Sequence, residues 1–125
     1  MGDELYKENI LNHYRNPRNN YVLVDADLVG NETNTLCGDE ITTYAHIDAG
    51  GIITAMSFVG EGCAISRAAA SLLTDFAKGK RADEIGSMTQ QDMERVLGVP
   101  VSIVRARCAV LAVHAFRNGF NKKSC

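Results

Sequence analysis

The sequence predicts an α+β domain, a small three-stranded antiparallel sheet covered by helices, on the strength of three observations. Apolar residues recur at helical spacing over residues 5–15. They alternate at strand spacing over 40–48, and after a glycine turn 52–59 returns as a second strand of the hairpin. From Gly62 onward the period becomes helical again. No repeat, linker or charge block divides the 125 residues, so one domain spans 1–125, with 1–4 and 120–125 expected to fray.

In the first helix Tyr6, Ile10, His13 and Tyr14 share a stripe, and Asn16-Pro17 stops it, because a residue before proline is pushed out of the helical region. Val22 to Val29 is rich in β-branched and aliphatic residues and predicts the first strand; Asn31 to Cys37 is then a polar loop. Over Glu40 to Asp48, Ile41, Thr43, Ala45 and Ile47 take one face and Thr42, Tyr44 and His46 the other. Ala49-Gly50-Gly51 turns the chain, and Ile52 to Val59 returns as the third strand. Ile65, Ala68, Ala69, Leu72 and Phe76 form a helical stripe closed by Lys78-Gly79. A short turn over Ala82 to Gly86 precedes a helix capped by Thr89 that ends at Gly98-Val99-Pro100. Ser102 caps a last helix with Val104, Cys108, Leu111 and Ala115 on one stripe, ending near Gly119.

Composition narrows the function. With 46% hydrophobic and 22% charged residues, the chain has globular make-up, not disordered or low-complexity make-up. Thirteen Lys+Arg against fifteen Asp+Glu leave no basic excess to neutralise a phosphate backbone, which argues against nucleic-acid binding. No apolar run approaches the roughly 18 residues of a membrane span, and the acidic start, Met-Gly-Asp-Glu, is no secretory signal. A cytoplasmic location is the expectation, and there the four cysteines, Cys37, Cys63, Cys108 and Cys125, are thiols and not a disulfide framework.

Cys37 and Cys63 each stand at an element junction beside glycine, in Leu36-Cys37-Gly38-Asp39 and Gly60-Glu61-Gly62-Cys63. A cysteine at a helix N-terminus feels the positive end of the dipole, which favours its thiolate. Cys108 lies on an apolar helix stripe, where a small buried hydrophobe is the plainer reading. No Cys-x-x-Cys pair occurs, so a site on these thiols gathers them from three distant segments at one end of the sheet. Asp39 reads either as a turn residue or as a fourth ligand; three thiolates with one carboxylate suit Zn²⁺ or iron. His13, His46 and His114 show no ligand spacing, and Arg105 and Arg107 read equally as a solvated helix face or as cations that lower the Cys108 pKa.

Taken together, these segments resemble the U-type iron–sulfur cluster assembly proteins over about residues 4 to 118. His13-Tyr14-Arg15-Asn16-Pro17-Arg18-Asn19 looks like the family's opening helix and its break, and Cys37-Gly38-Asp39 like its first ligand motif. Gly60-Glu61-Gly62-Cys63-Ala64-Ile65-Ser66 looks like the second, and Arg107-Cys108-Ala109 like the third. The resemblance implies Cys37, Asp39, Cys63 and Cys108 as ligands of a labile [2Fe–2S] cluster or of Zn²⁺, with Cys37 and Cys108 as candidate persulfide acceptors. It also implies a cysteine desulfurase and cluster-acceptor proteins as partners, homo-oligomers as a further possibility, and a scaffold more than an enzyme. The alternative is a zinc-bound sulfurtransferase that stimulates its desulfurase. Arg107 stands where the ISC-type scaffold has histidine, and the Leu-Pro-Pro-Val-Lys stretch read by that scaffold's chaperone is absent. The Gly79 to Val101 stretch is short of the insertion carried by the zinc-binding Gram-positive type. Residues 105–108 and 60–66 nevertheless look more like that type, so both branches stay open.

Overall fold

The computed structural model describes residues 2–35 and 38–124, so the expectations for Cys37 and Cys125 lie outside the described residues. Eight elements follow in order: α1 (Gly2–Arg15), β1 (Leu28–Asn34), β2 (Asp39–Ile47), β3 (Ile53–Glu61), α2 (Ala64–Ala77), α3 (Ala82–Gly86), α4 (Gln90–Leu97) and α5 (Ile103–Ser124). The strands form one antiparallel sheet in the order β1-β2-β3, as the α+β prediction required. Its inner face, with Leu28, Ile41, Thr43, Ala45, Met56 and Phe58 all buried, is covered by α2 and α5.

The first strand forms later than its composition suggested. Val22 and Val24, 57% and 74% exposed, find no sheet partner, and Asp25 turns the chain at φ 56°. The strand instead runs through the expected loop, from Leu28↔Ala45 to Asn34↔Asp39. Its alternation is real but masked, because Gly30 and Asn34 take inward positions. A Cβ on Gly30 would overlap the carbonyl of Ala115, so β1 and α5 meet closer than side chains allow.

Gly119 answers Gly30 from the helix side. α5 does not stop there but continues to Ser124, beyond its expected end. A Cβ on Gly119 would come 2.7 Å from the Val29 carbonyl oxygen and 2.8 Å from Leu28 Cδ2. Gly119→Ala is therefore expected to destabilise the fold by about 2 kcal/mol, the usual cost of overpacking, despite the gain in helix propensity. Urea unfolding midpoints check this; an unchanged or raised midpoint would refute the close approach.

On α2 the small residues go inward. Ala68, Ala69, Leu73 and Ala77 are buried, Ile65 and Leu72 are half-buried, and Phe76 is 37% exposed beneath the Lys80 ammonium, 4.4 Å from its ring centroid. Of the expected stripe, Ala68 and Ala69 are buried, Ile65 and Leu72 pack half-buried against the core, and Phe76 at its end turns away from it. α4 starts at the Thr89–Asp92 capping box and stops at Gly98, φ 85°, as its sequence predicted.

α1 is tied to α2 through a buried pair. The Ser71 hydroxyl accepts the Arg18 backbone N–H at 2.8 Å and is hydrogen-bonded to His13 Nδ1 at 2.7 Å. Burial first, then the Arg18 cation, holds the His13 pKa below 6.5, against a smaller upward pull from Asp75. The unfolded chain therefore takes up a proton near pH 6.5 that the folded chain refuses, so this contribution to stability is whole above pH 6.5 and is lost as pH falls below it. Unfolding midpoints at pH 7 and pH 5 are expected to show this loss, and His13→Gln to shrink it. The remainder belongs to His114, which burial shifts the same way.

Candidate metal centre

Three elements bring three candidate ligands together at one end of the sheet. Asp39 opens β2, Cys63 stands between β3 and α2, and Cys108 points inward from α5. One ligand atom from each lies within 4.8 Å of the others. Asp39 and Cys108 are 3% and 1% exposed, and Cys63 is half-buried, so the site faces solvent from the Cys63 side. Cys37, expected to be the remaining ligand, lies outside the described residues, two positions before Asp39.

Backbone economy at two glycines makes the convergence possible. Gly60, at φ 149°, permits an approach in which any Cβ would overlap the Glu40 carbonyl across the β2–β3 pair. At Gly62 a Cβ would come 2.9 Å from Asp39 Cγ and would overlap Ser66 Oγ. The missing side chain is the space in which the Asp39 carboxylate sits.

The donors are held by one another. The Cys63 backbone N–H donates to Asp39 Oδ1 at 3.2 Å, and the Cys108 thiol donates to Asp39 Oδ2 at 3.4 Å. Cys63 is the N-cap of α2, and its Sγ lies 3.8 Å from Ser66 Oγ, whose hydroxyl donates to the Cys63 carbonyl at 3.0 Å. Among the described residues no Lys, Arg or His pairs with the buried Asp39 carboxylate. A buried anion beside two thiols with no cation is a set of donors short of a positive partner, and a thiophilic cation fits it.

The two thiols are electrostatically unlike. Burial alone would push the Cys63 thiol up, but hydrogen bonding from the Ser66 backbone, from Cys108, from the Ser66 hydroxyl and from the Ile65 backbone outweighs it, and the net shift is downward. Burial, followed by Cys63 and the Asp39 carboxylate, pushes Cys108 far up. The helix-start thiolate expected at Cys63 is therefore supported. Arg105 and Arg107 do not lower the Cys108 thiol; both are exposed, as the solvated-face reading had it.

Sequence reading missed two contributors. Asn34, 7% exposed and opposite Asp39 in the register, has its Nδ2 4.0 Å from Cys108 Sγ; it fell in the expected loop. Ser66, fully buried one turn into α2, was legible only as part of a motif. No histidine joins the cluster among the described residues. His46 lies 3.6 Å from Asp27, and His13 serves the α1–α2 contact. No helix among the described residues is long and apolar enough to cross a membrane.

Comparison with known proteins agrees with this geometry. Residues 5–123 match the model of the NifU-like N-terminal domain. The chain is 36% identical to the zinc-dependent sulfurtransferase SufU of Bacillus subtilis, covering 97% of this chain and 92% of the relative. It is 35% identical to the iron–sulfur cluster assembly enzyme IscU of Drosophila melanogaster, covering 90% and 74%. Among solved structures, a putative iron–sulfur cluster assembly scaffold protein for the SUF system from Fervidobacterium islandicum superposes with a TM-score of 0.75 at 25% identity, over 93% and 96% of the two chains.

Proposed function

Because the chain belongs to the NifU-like N-terminal domain family, we propose that it is an iron–sulfur cluster assembly scaffold. In this reading it accepts sulfur from a cysteine desulfurase, builds a labile [2Fe–2S] cluster as cargo on Cys37, Asp39, Cys63 and Cys108, and passes it to acceptor proteins. The supporting observation is a carboxylate set among thiols: Asp39 within 4.8 Å of Cys63 and Cys108. Thiolate sulfur holds iron firmly, whereas a hard carboxylate oxygen exchanges readily, and cargo must leave as well as arrive.

The chain's own groups prepare the site. The Cys63 amide steadies the Asp39 carboxylate through Oδ1, and Oδ2 is the acceptor that the Cys108 proton already faces. Loading removes that proton; the Cys63 thiol, shifted downward, gives up its own first.

A second reading is favoured by the SufU similarity, the most extensive of the relatives described above. Here the same residues hold Zn²⁺, which keeps the thiols deprotonated, and the protein relays sulfur without assembling a cluster. A thiolate of Cys37 or Cys108 attacks the outer sulfur of the desulfurase persulfide; the new S–S bond forms on this chain, and the desulfurase thiolate leaves with the electron pair of the old one.

Metal analysis of protein purified without oxygen, with anaerobic reconstitution by iron, cysteine and a desulfurase, tests the scaffold. Visible charge-transfer absorption lost in Cys37→Ser, Cys63→Ser and Cys108→Ser supports it. One tightly held zinc, strong stimulation of desulfurase turnover and no cluster would replace it with the relay.

A further inference from the structure

Beside the metal centre a cavity of about 300 Å³ opens between β1 and α5, the size at which small-ligand sites begin. Its walls carry both signs of charge: Glu32 on β1, and Arg107 and His114 on α5. These charges do not neutralise each other. Among the described residues the Glu32 carboxylate accepts only from neutral donors, the Thr33 N–H at 3.1 Å and the Asn118 amide at 3.4 Å. The Arg107 guanidinium has no hydrogen-bond or ion-pair partner among the described residues. His114 is held neutral by burial first and by Arg117 second, so it offers Glu32 no cation near pH 7. An unpaired anion and an unpaired cation lining one small cavity complement a ligand that carries an ammonium and a carboxylate on one small body. Leu111, on the same wall, offers apolar surface to a short side chain.

The position of the cavity says what else the ligand carries. Asn34 lines it while its Nδ2 stands 4.0 Å from Cys108 Sγ, so cavity and sulfur donor are one side chain apart. We propose that this cavity binds a small thiol bearing both an ammonium and a carboxylate, cysteine being the simplest, and that this thiol unloads sulfur from Cys108. The transfer rests on the sulfur-accepting role shared by both readings above. The ligand's thiol proton passes to the neutral His114 imidazole, and its sulfur attacks the outer sulfur of the Cys108 persulfide. An S–S bond forms on the ligand, the Cys108 S–S bond breaks, and the electron pair leaves with the Cys108 thiolate; no oxidant or reductant is consumed.

Binding is tested with S-methyl-L-cysteine, which has both charges and no thiol, by NMR titration of the full chain. Saturable shifts at Glu32, Asn34 and His114 are expected, weakened about tenfold or more in Arg107→Gln and in Glu32→Gln and absent for the N-acetyl analogue, which lacks the ammonium. Circular dichroism establishes that both variants fold. Absent shifts, or shifts indifferent to both variants, would overturn the site. Transfer is tested on protein loaded with sulfur by a desulfurase: discharge by L-cysteine is expected to saturate, discharge by 2-mercaptoethanol to stay linear, and the ratio of the two to fall in both variants. An equal ratio in wild type and variants overturns the transfer. A chain that takes sulfur on Cys37 but not on Cys108 overturns the transfer alone, and one that takes sulfur on neither cysteine sinks the sulfur-accepting reading with it, while the titration still decides the binding site.

Discussion

Cys108→Ser is expected to lower metal affinity by at least about a hundredfold and to abolish cluster assembly, with little effect on the metal-free fold. A structural zinc site of four ligands contributes about 10–16 kcal/mol, so one thiolate accounts for roughly 3 kcal/mol, or two orders of magnitude. Serine is close to cysteine in volume, and its hydroxyl can keep the hydrogen bond that the thiol now donates to Asp39 Oδ2. Competition with a chromophoric chelator measures the affinity, and thermal unfolding of the metal-free protein checks the fold. Affinity equal to wild type would remove Cys108 from the ligand set.

What made this site legible in the sequence was residue type at element junctions. Glycine beside Cys37 and Cys63 marked backbone under constraint, and Gly60 and Gly62 do stand where a Cβ would strike the β2 backbone or the Asp39 carboxyl. The β2–β3 hairpin was legible because Ile41, Thr43 and Ala45 alternate cleanly and all three are buried. β1 was not, because the residues that face inward there are not large apolar ones. Gly30 is inward to let α5 approach, and Asn34 is inward to face Cys108. A hydropathy pattern cannot distinguish a strand shaped by close packing and a polar site from a polar loop. On α2 the stripe was legible at Ala68 and Ala69, which are buried, but its last member, Phe76, serves Lys80 while Leu73 and Ala77 take inward positions. The end of α5 was misplaced because Gly119 looks like a stop signal, whereas it is a contact residue. In each case tertiary proximity, which local pattern does not encode, decided the residue.

Asp39→Ala separates the two functional readings, because they predict opposite results from one change. In the scaffold the carboxylate is the exchangeable member of a thiolate set and adds negative charge to donors that already repel one another. Without it the cluster is expected to persist about tenfold longer in the presence of a competing thiol, since the hard oxygen through which cargo leaves is gone. In the zinc relay the same carboxylate is a resident ligand in a closed tetrahedral set, and its loss is expected to weaken zinc binding by at least about tenfold. The structure adds a further constraint. Asp39 also accepts the Cys63 amide and the Cys108 thiol, so alanine leaves the buried Cys108 thiol without its acceptor. Asp39→Asn controls for that loss: it keeps an oxygen for either donor but carries no charge. A longer-lived cluster in both variants assigns the effect to charge and exchange. A longer-lived cluster in Asp39→Ala alone assigns it to the freed thiols, and faster cluster loss in both contradicts the scaffold reading of the carboxylate.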